Sequence, residues 1–142
     1  DMRVVAYDPG VDGDCALHGV QRAAWPERVD EADFIAFTCS LNERNRHMLN
    51  AEVLARCRRG VFVVNVARGP LIDEPALVSA LQSGQVQAAA LDVFENEPLP
   101  ADSPLRAMPQ CVFGSHNGSN TKDAVRRASQ EAMTRMFGFL RG

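Results

Sequence analysis

Apolar runs of five to seven residues alternate along this chain with longer stretches in which apolar positions recur every three or four residues. The short runs read as strands and the longer ones as amphipathic helices, so the pattern predicts βαβ units built on a parallel sheet. Five strands are predicted: "RVVAY" from Arg3, "DFIAFT" from Asp33, "VFVVNVA" from Val61, "AAALDVF" from Ala88 and "CVFGS" from Cys111, with a weaker sixth at "GVQRA" from Gly19. Their near-continuous apolarity is that of strands covered on both faces.

The helical stretches carry their own punctuation. Asn50 is placed to cap "AEVLARCRR", in which Val53, Leu54 and Cys57 share a face and Gly60 marks the end. Its Arg56, Arg58 and Arg59 read as a solvated last turn favoured by the helix dipole. Asp73 caps "EPALVSALQS", where Pro75 is tolerated in the first turn, Leu77 and Leu81 point inward and Gly84 closes the element. From Thr121 runs the longest helix, whose Val125, Ala128, Ala132, Met133, Met136 and Leu140 form an apolar stripe read as core. Between Glu95 and Gln110 lies one long loop holding half of the eight prolines, which excludes helix and central strand.

Composition narrows the function classes. At 142 residues and 46% hydrophobic content the chain is the size of one domain with an ample core. A formal charge of −3 and a pI near 5.6 give no electrostatic case for nucleic acid. No apolar run reaches the roughly 18 residues that span a bilayer, and no signal-peptide pattern opens the chain, so the expected compartment is the cytoplasm with no membrane partner. Cys15, Cys39, Cys57 and Cys111 are scattered, as are His18, His47 and His116, so no metal site is expected and the cysteines read as buried reduced thiols.

Ligands of a doubly wound sheet bind beyond the carboxyl ends of its strands. Asp8 ends the first run, Arg68 the third, Asp92 stands near the end of the fourth and His116 follows the fifth, with Glu97 a few residues past Asp92. Singly, each has an ordinary explanation in a turn or a solvated surface. Together an arginine, a carboxylate and a histidine on one sheet edge make an anion clamp and an acid/base pair. A guanidinium grips a carboxylate with two parallel hydrogen bonds and so orients a 2-oxo or 2-hydroxy acid. A glutamate beside an imidazole favours the charged ring, which can then give a proton to a carbonyl under reduction. An acidic residue at Asp8's position binds ribose hydroxyls and repels a 2′-phosphate.

These residues resemble the D-isomer-specific 2-hydroxyacid dehydrogenase family, of the phosphoglycerate dehydrogenase kind. The resemblance rests on "VNVARGPLIDEPALVSAL", "AAALDVFENEPLP" and "GSHNGSNT" in order, and it covers essentially the whole chain from "VVAYDPG" onward. It implies a Rossmann-type doubly wound α/β fold over residues 1–142, NAD as cofactor, and hydride transfer to or from C2 of a small 2-hydroxy or 2-oxo acid. Arg68 takes the substrate carboxylate, His116 the acid/base role and Glu97 that of its partner. Asp8 and Pro9 fall at the adenosine ribose. Thr38, Cys39, Ser40, Val66, Ala67, Arg68, Asp92, His116 and Gly118 fall along the rest of the cofactor, with Asp92 at the nicotinamide carboxamide. A homodimer is also implied. Formate dehydrogenase is disfavoured, because its histidine pairs with glutamine where Glu97 stands.

Three departures qualify the likeness. "TCSLN" replaces the usual "HxPLT", so Ser40 stands for a proline; Asn117 and Ser119 make the histidine's surroundings more polar than "HIGG"; and no GxGxxG occurs. The chain is therefore expected to be a partial domain, running from the second strand to the closing helix, without the first strand, the phosphate loop or the substrate domain. Two other readings of the same residues stay open: an NAD-binding corepressor-like protein, and a folded but inactive remnant.

Overall fold

The computed structural model describes residues 2–10 and 19–141. Cys15 and His18 lie outside the described residues. Two parallel sheets form. Strands β1 (Val5–Ala6) and β2 (Gln21–Arg22) pair in one, and β3 (Phe34–Phe37), β4 (Val61–Asn65), β5 (Val86–Leu91) and β6 (Cys111–Phe113) lie side by side in that order in the other. The expected α/β class with parallel strands is what is observed, including the weak sixth strand at Gln21.

Helix α1 (Ala51–Arg56) joins β3 to β4, and α2 (Glu74–Ser83) joins β4 to β5. Asn50 Oδ1 accepts from the Val53 amide at 3.0 Å, and Asp73 Oδ1 from the Ala76 amide at 3.1 Å, so both predicted caps are made. Gly84 ends α2 at φ 72°, in the left-handed region that favours glycine. α1 stops at Arg56 rather than at Gly60. Gln85 Nε2 donates to the carbonyls of Leu54 and Cys57 at the helix end, at 2.9 and 2.7 Å, in place of a further turn. The three arginines at and after that end do more than face solvent. Arg56 donates to the Pro26 carbonyl, Arg58 pairs with Asp33 at 2.6 Å, and Arg59 donates to the Ser83 carbonyl.

One core fills the space between the four-stranded sheet and α1 and α2. Leu49, Leu71, Leu77, Val63, Val86 and Leu105 are all 0 or 1% exposed, each such side chain contributing about 1.5–3 kcal/mol by leaving water. Leu105 belongs to a 3-10 turn, Pro104–Ala107, inside the loop expected to be free of helix; prolines at the first helical position suit such a turn.

Three expectations are corrected here. Among the described residues the sheet is covered on one face only: Ile35, Phe37, Val61 and Val63 are buried, whereas Phe34 and Phe62, stacked at 4.8 Å, are 61% and 37% exposed. Helix α3 (Lys122–Arg141) buries none of its residues, so its stripe is not core of this fold. Periodicity fixes which face of an element is apolar, and it carries no information on what lies against that face. Cys39 is exposed, unlike Cys57, because it stands just past the end of β3 on the open edge.

The small sheet docks through Trp25. Its ring meets Tyr7 edge-on at 5.2 Å and Phe37 at 6.0 Å, and its indole N–H donates to the Met48 carbonyl at 3.0 Å.

Candidate active site

The carboxyl edge of the larger sheet gathers most of the residues singled out above. At the end of β4, Asn65 is 1% exposed, and a buried amide must find partners. Its Oδ1 accepts from the Ala67 amide at 3.1 Å and its Nδ2 donates to the Arg68 carbonyl at 2.9 Å, so the side chain shapes the turn that follows. Arg68 lies three residues past the strand end and caps a 3-10 turn, Gly69–Leu71. Its Nη1 folds back onto the Ala67 carbonyl at 2.6 Å.

Gly69 is required for a reason its sequence context hides. A Cβ there would stand 1.9 Å from the carbonyl carbon and oxygen of Phe94, because the turn presses directly on the loop after β5. That loop begins at Asp92, itself 9% exposed. Burial raises its pKa, but the Gly118 and Asn117 amides, donating to its two oxygens at 2.7 and 3.1 Å, and nearby His116 outweigh that and hold the carboxyl below its ordinary value. Gly114 is excluded from having a side chain by the same carboxylate, 2.0 Å from where its Cβ would be.

Asp92 thus anchors the segment that presents His116. The His116 amide donates to the Asp92 carbonyl at 2.8 Å, and the residue adopts φ 60°, a left-handed conformation unusual for a side chain of this size. Its Nδ1 lies 2.7 Å from Glu97 Oε2. Glu97 Oε1 accepts from the Phe94 amide at 3.1 Å. The hydrogen bond to His116 comes first among the causes that hold the Glu97 carboxyl below its ordinary value; the Phe94 amide and the charges of His116 and Arg68 add to it against partial burial. With Nδ1 committed to the carboxylate, Nε2 is the nitrogen left to act on a ligand.

An open groove of about 570 Å³ lies beside Arg68, within the range of small-molecule sites. Thr38, Cys39, Ser40 and Leu41, after β3, line one side; Val66, Ala67 and Arg68 line another, and Ser119 closes it. Glu97 and His116 stand outside these walls, and Arg68 links the groove to the pair. Asp92 and Gly118 are hydrogen-bonded to each other and are not among the residues lining the groove. Asp8 and Pro9 follow β1 of the smaller sheet and do not line the groove; there Asp8 Oδ1 accepts from the Gly10 amide at 2.9 Å and Arg22 donates to its carbonyl. Asn65 was missed as a shaping residue. Its signal was an amide ending an otherwise apolar strand. Glu95, Glu74 and His47, which meet beneath the Arg68 turn, carried no such signal, since charged loop residues are ordinarily solvated.

The model of the D-isomer specific 2-hydroxyacid dehydrogenase NAD binding domain matches residues 1–118. Glyoxylate/hydroxypyruvate reductase B of Escherichia fergusonii is 43% identical over 114 residues, 80% of this chain and 35% of that protein. A D-isomer specific 2-hydroxyacid dehydrogenase from Xanthobacter autotrophicus Py2, solved with NADPH and MES, is 38% identical with a TM-score of 0.68, over 80% of this chain and 47% of that one. A glyoxylate reductase from Paecilomyes thermophila superposes with a TM-score of 0.81 at 32% identity, over 91% and 39%. The chain spans between 35% and 38% of the length of the curated relatives cited here and in Yersinia pestis.

Proposed function

This chain belongs to the D-isomer specific 2-hydroxyacid dehydrogenase family, and from that premise we propose that it serves hydride transfer between NAD(H) and C2 of a small 2-hydroxy or 2-oxo acid. The observation that carries this reading is the Glu97–His116 pair at 2.7 Å, set beside Arg68 on the carboxyl edge of the sheet. Glyoxylate and hydroxypyruvate are the first substrates to try, since relatives bear those names.

The groove fits the nicotinamide end of the cofactor in its chemistry. Val66 and Ala67 offer an apolar wall to a flat ring, and Thr38, Ser40 and Ser119 offer hydroxyls to its polar edge. Asp92 keeps acceptor capacity beyond its two amide partners for the carboxamide. Asp8 and Pro9 would meet the adenosine ribose, and the carboxylate of Asp8 favours NAD over a 2′-phosphate. When bound, the cofactor supplies the hydride. Arg68 swings from the Ala67 carbonyl to grip the substrate carboxylate and polarise its carbonyl. His116 Nε2 gives a proton to the carbonyl oxygen during reduction and takes one from the hydroxyl during oxidation, while Glu97 keeps Nδ1 protonated and the ring oriented.

The test is NADH oxidation by the whole protein with a panel of 2-oxo acids. His116→Ala lowers kcat by about 10²–10⁴-fold, and Arg68→Ala raises KM with a loss of roughly 10–100-fold in kcat/KM. Wild-type turnover in His116→Ala overturns the acid/base assignment. Intact NAD binding without turnover on any 2-oxo acid points instead to a regulatory, corepressor-like role. The 142 residues alone, which contain no GxGxxG, bind NAD more weakly than micromolar; calorimetric titration checks this.

A further inference from the structure

We propose that Glu95 and His47 are positioning residues that clamp the turn presenting Arg68 to the loop presenting Glu97; the inference rests on the Arg68, Glu97 and His116 set described above. Three segments meet at one joint. The chain from His47 to Leu49 is laced to the Arg68 turn, with the His47 amide donating to the Pro70 carbonyl at 2.8 Å, the Leu49 amide to Leu71 at 3.1 Å and the Asp73 amide to Leu49 at 3.0 Å. His47 itself is held at φ 52°, unusual for a non-glycine residue. From there its Nε2 reaches to 2.9 Å from Glu95 Oε1. That nitrogen is enclosed and makes no aligned hydrogen bond, so the contact is one of close approach to the carboxylate.

Glu95 is bound from the other side as well. Its Oε1 accepts from the Glu74 amide at 3.0 Å, and its own amide donates to Glu74 Oε2 at 3.2 Å, a reciprocal pair that ties it to the first turn of α2. Burial, with the Glu95 charge adding to it, raises the pKa of Glu74 against the pull of that amide. Glu95 follows Phe94, whose amide orients Glu97 Oε1 and whose carbonyl lies flush against Gly69. A shift of Glu95 is therefore transmitted in one direction to the carboxylate that holds His116 and in the other to the backbone beside Arg68. Packing alone does not call for this: the core beneath is already closed by Leu71, Leu77 and Val93.

The test is NMR of the labelled chain in Glu95→Gln, which keeps an acceptor for the Glu74 amide but removes the charge, and in His47→Gln, which breaks the same contact from the other partner should the first variant fold poorly. In both, the His116 ring resonances and the amides of Ala67, Arg68 and Gly69 move together. Arg58→Ala, which breaks an exposed pair with Asp33, moves neither. In the whole protein kcat falls about two- to fivefold while KM stays near its wild-type value, as suits the loss of one partly exposed polar contact. Unmoved His116 and Arg68 resonances in both variants overturn the proposal. Glu97→Gln separates the two readings. If it too leaves the His116 ring unmoved, the acid/base pair fails, and the clamp is judged by the Ala67–Gly69 amides alone.

Discussion

Two side chains show how the site holds its shape, Asn65 under the Arg68 turn and Glu97 against His116. Asn65 satisfies one backbone donor and one acceptor of the Arg68 turn, so Asn65→Ala leaves the Ala67 amide unpaired in a buried place and the Arg68 carbonyl with the Leu71 amide, at 3.3 Å, as its remaining partner. We expect a loss of about 1–3 kcal/mol, read as a lower urea midpoint at unchanged m-value. Glu97 is a different case, because its contribution depends on pH. Its folded-state pKa lies below the ordinary glutamate value of about 4.3. Its stabilising contribution is therefore fully present above that value and is lost as pH falls through the lowered one. Comparing wild type with Glu97→Gln by urea unfolding, the difference is present at neutral pH and shrinks as pH falls below the ordinary glutamate value, and it is small because the side chain is 36% exposed. Glu97 and His116, which the sequence singles out, stand 2.7 Å apart because each continues a strand end on the same edge of the sheet. The sequence could not reveal the support beneath them: that Gly69 touches Phe94 depends on how closely two loops approach, and no local pattern encodes that distance.

At the scale of elements, capping and turn chemistry were the most legible signals. Asn50, Asp73 and Gly84 act where their residue types say they should, because a cap is a contact within three or four residues of chain. The parallel direction of the strands followed from their alternation with helical stretches. Helix α3 was legible as a helix and illegible as to its setting. Thr121 Oγ1 caps it by accepting from the Ala124 amide at 3.2 Å, and its i,i+4 pair Glu131–Arg135 adds a little. With none of its residues buried, its stability rests on such local terms. Hydrogen exchange is the direct check: the amides of α3 exchange orders of magnitude faster than those of β4 and β5, and equal protection would show that something covers the stripe.

For the whole molecule, cohesion is unequal. The four-stranded sheet with α1 and α2 encloses a continuous core, whereas the β1–β2 pair is only two residues deep per strand. Among the described residues its side-chain ties to the remainder are Trp25, the Tyr7 hydroxyl on the Glu27 carbonyl, Arg28 donating to Gln21 at 2.7 Å, and the exposed Arg3–Glu31 pair; Arg28 also bonds Glu31 and does most to hold that carboxyl at about 2. Trp25 is the only tryptophan of the chain, and it sits on the seam between the two sheets. The molecule thus carries its own optical gauge. On warming, indole emission should shift to the red as the ring leaves Tyr7 and Phe37, at a lower temperature than the far-ultraviolet dichroism collapses. Coincidence of the two curves would mean that the small sheet and the larger one melt as a single cooperative body.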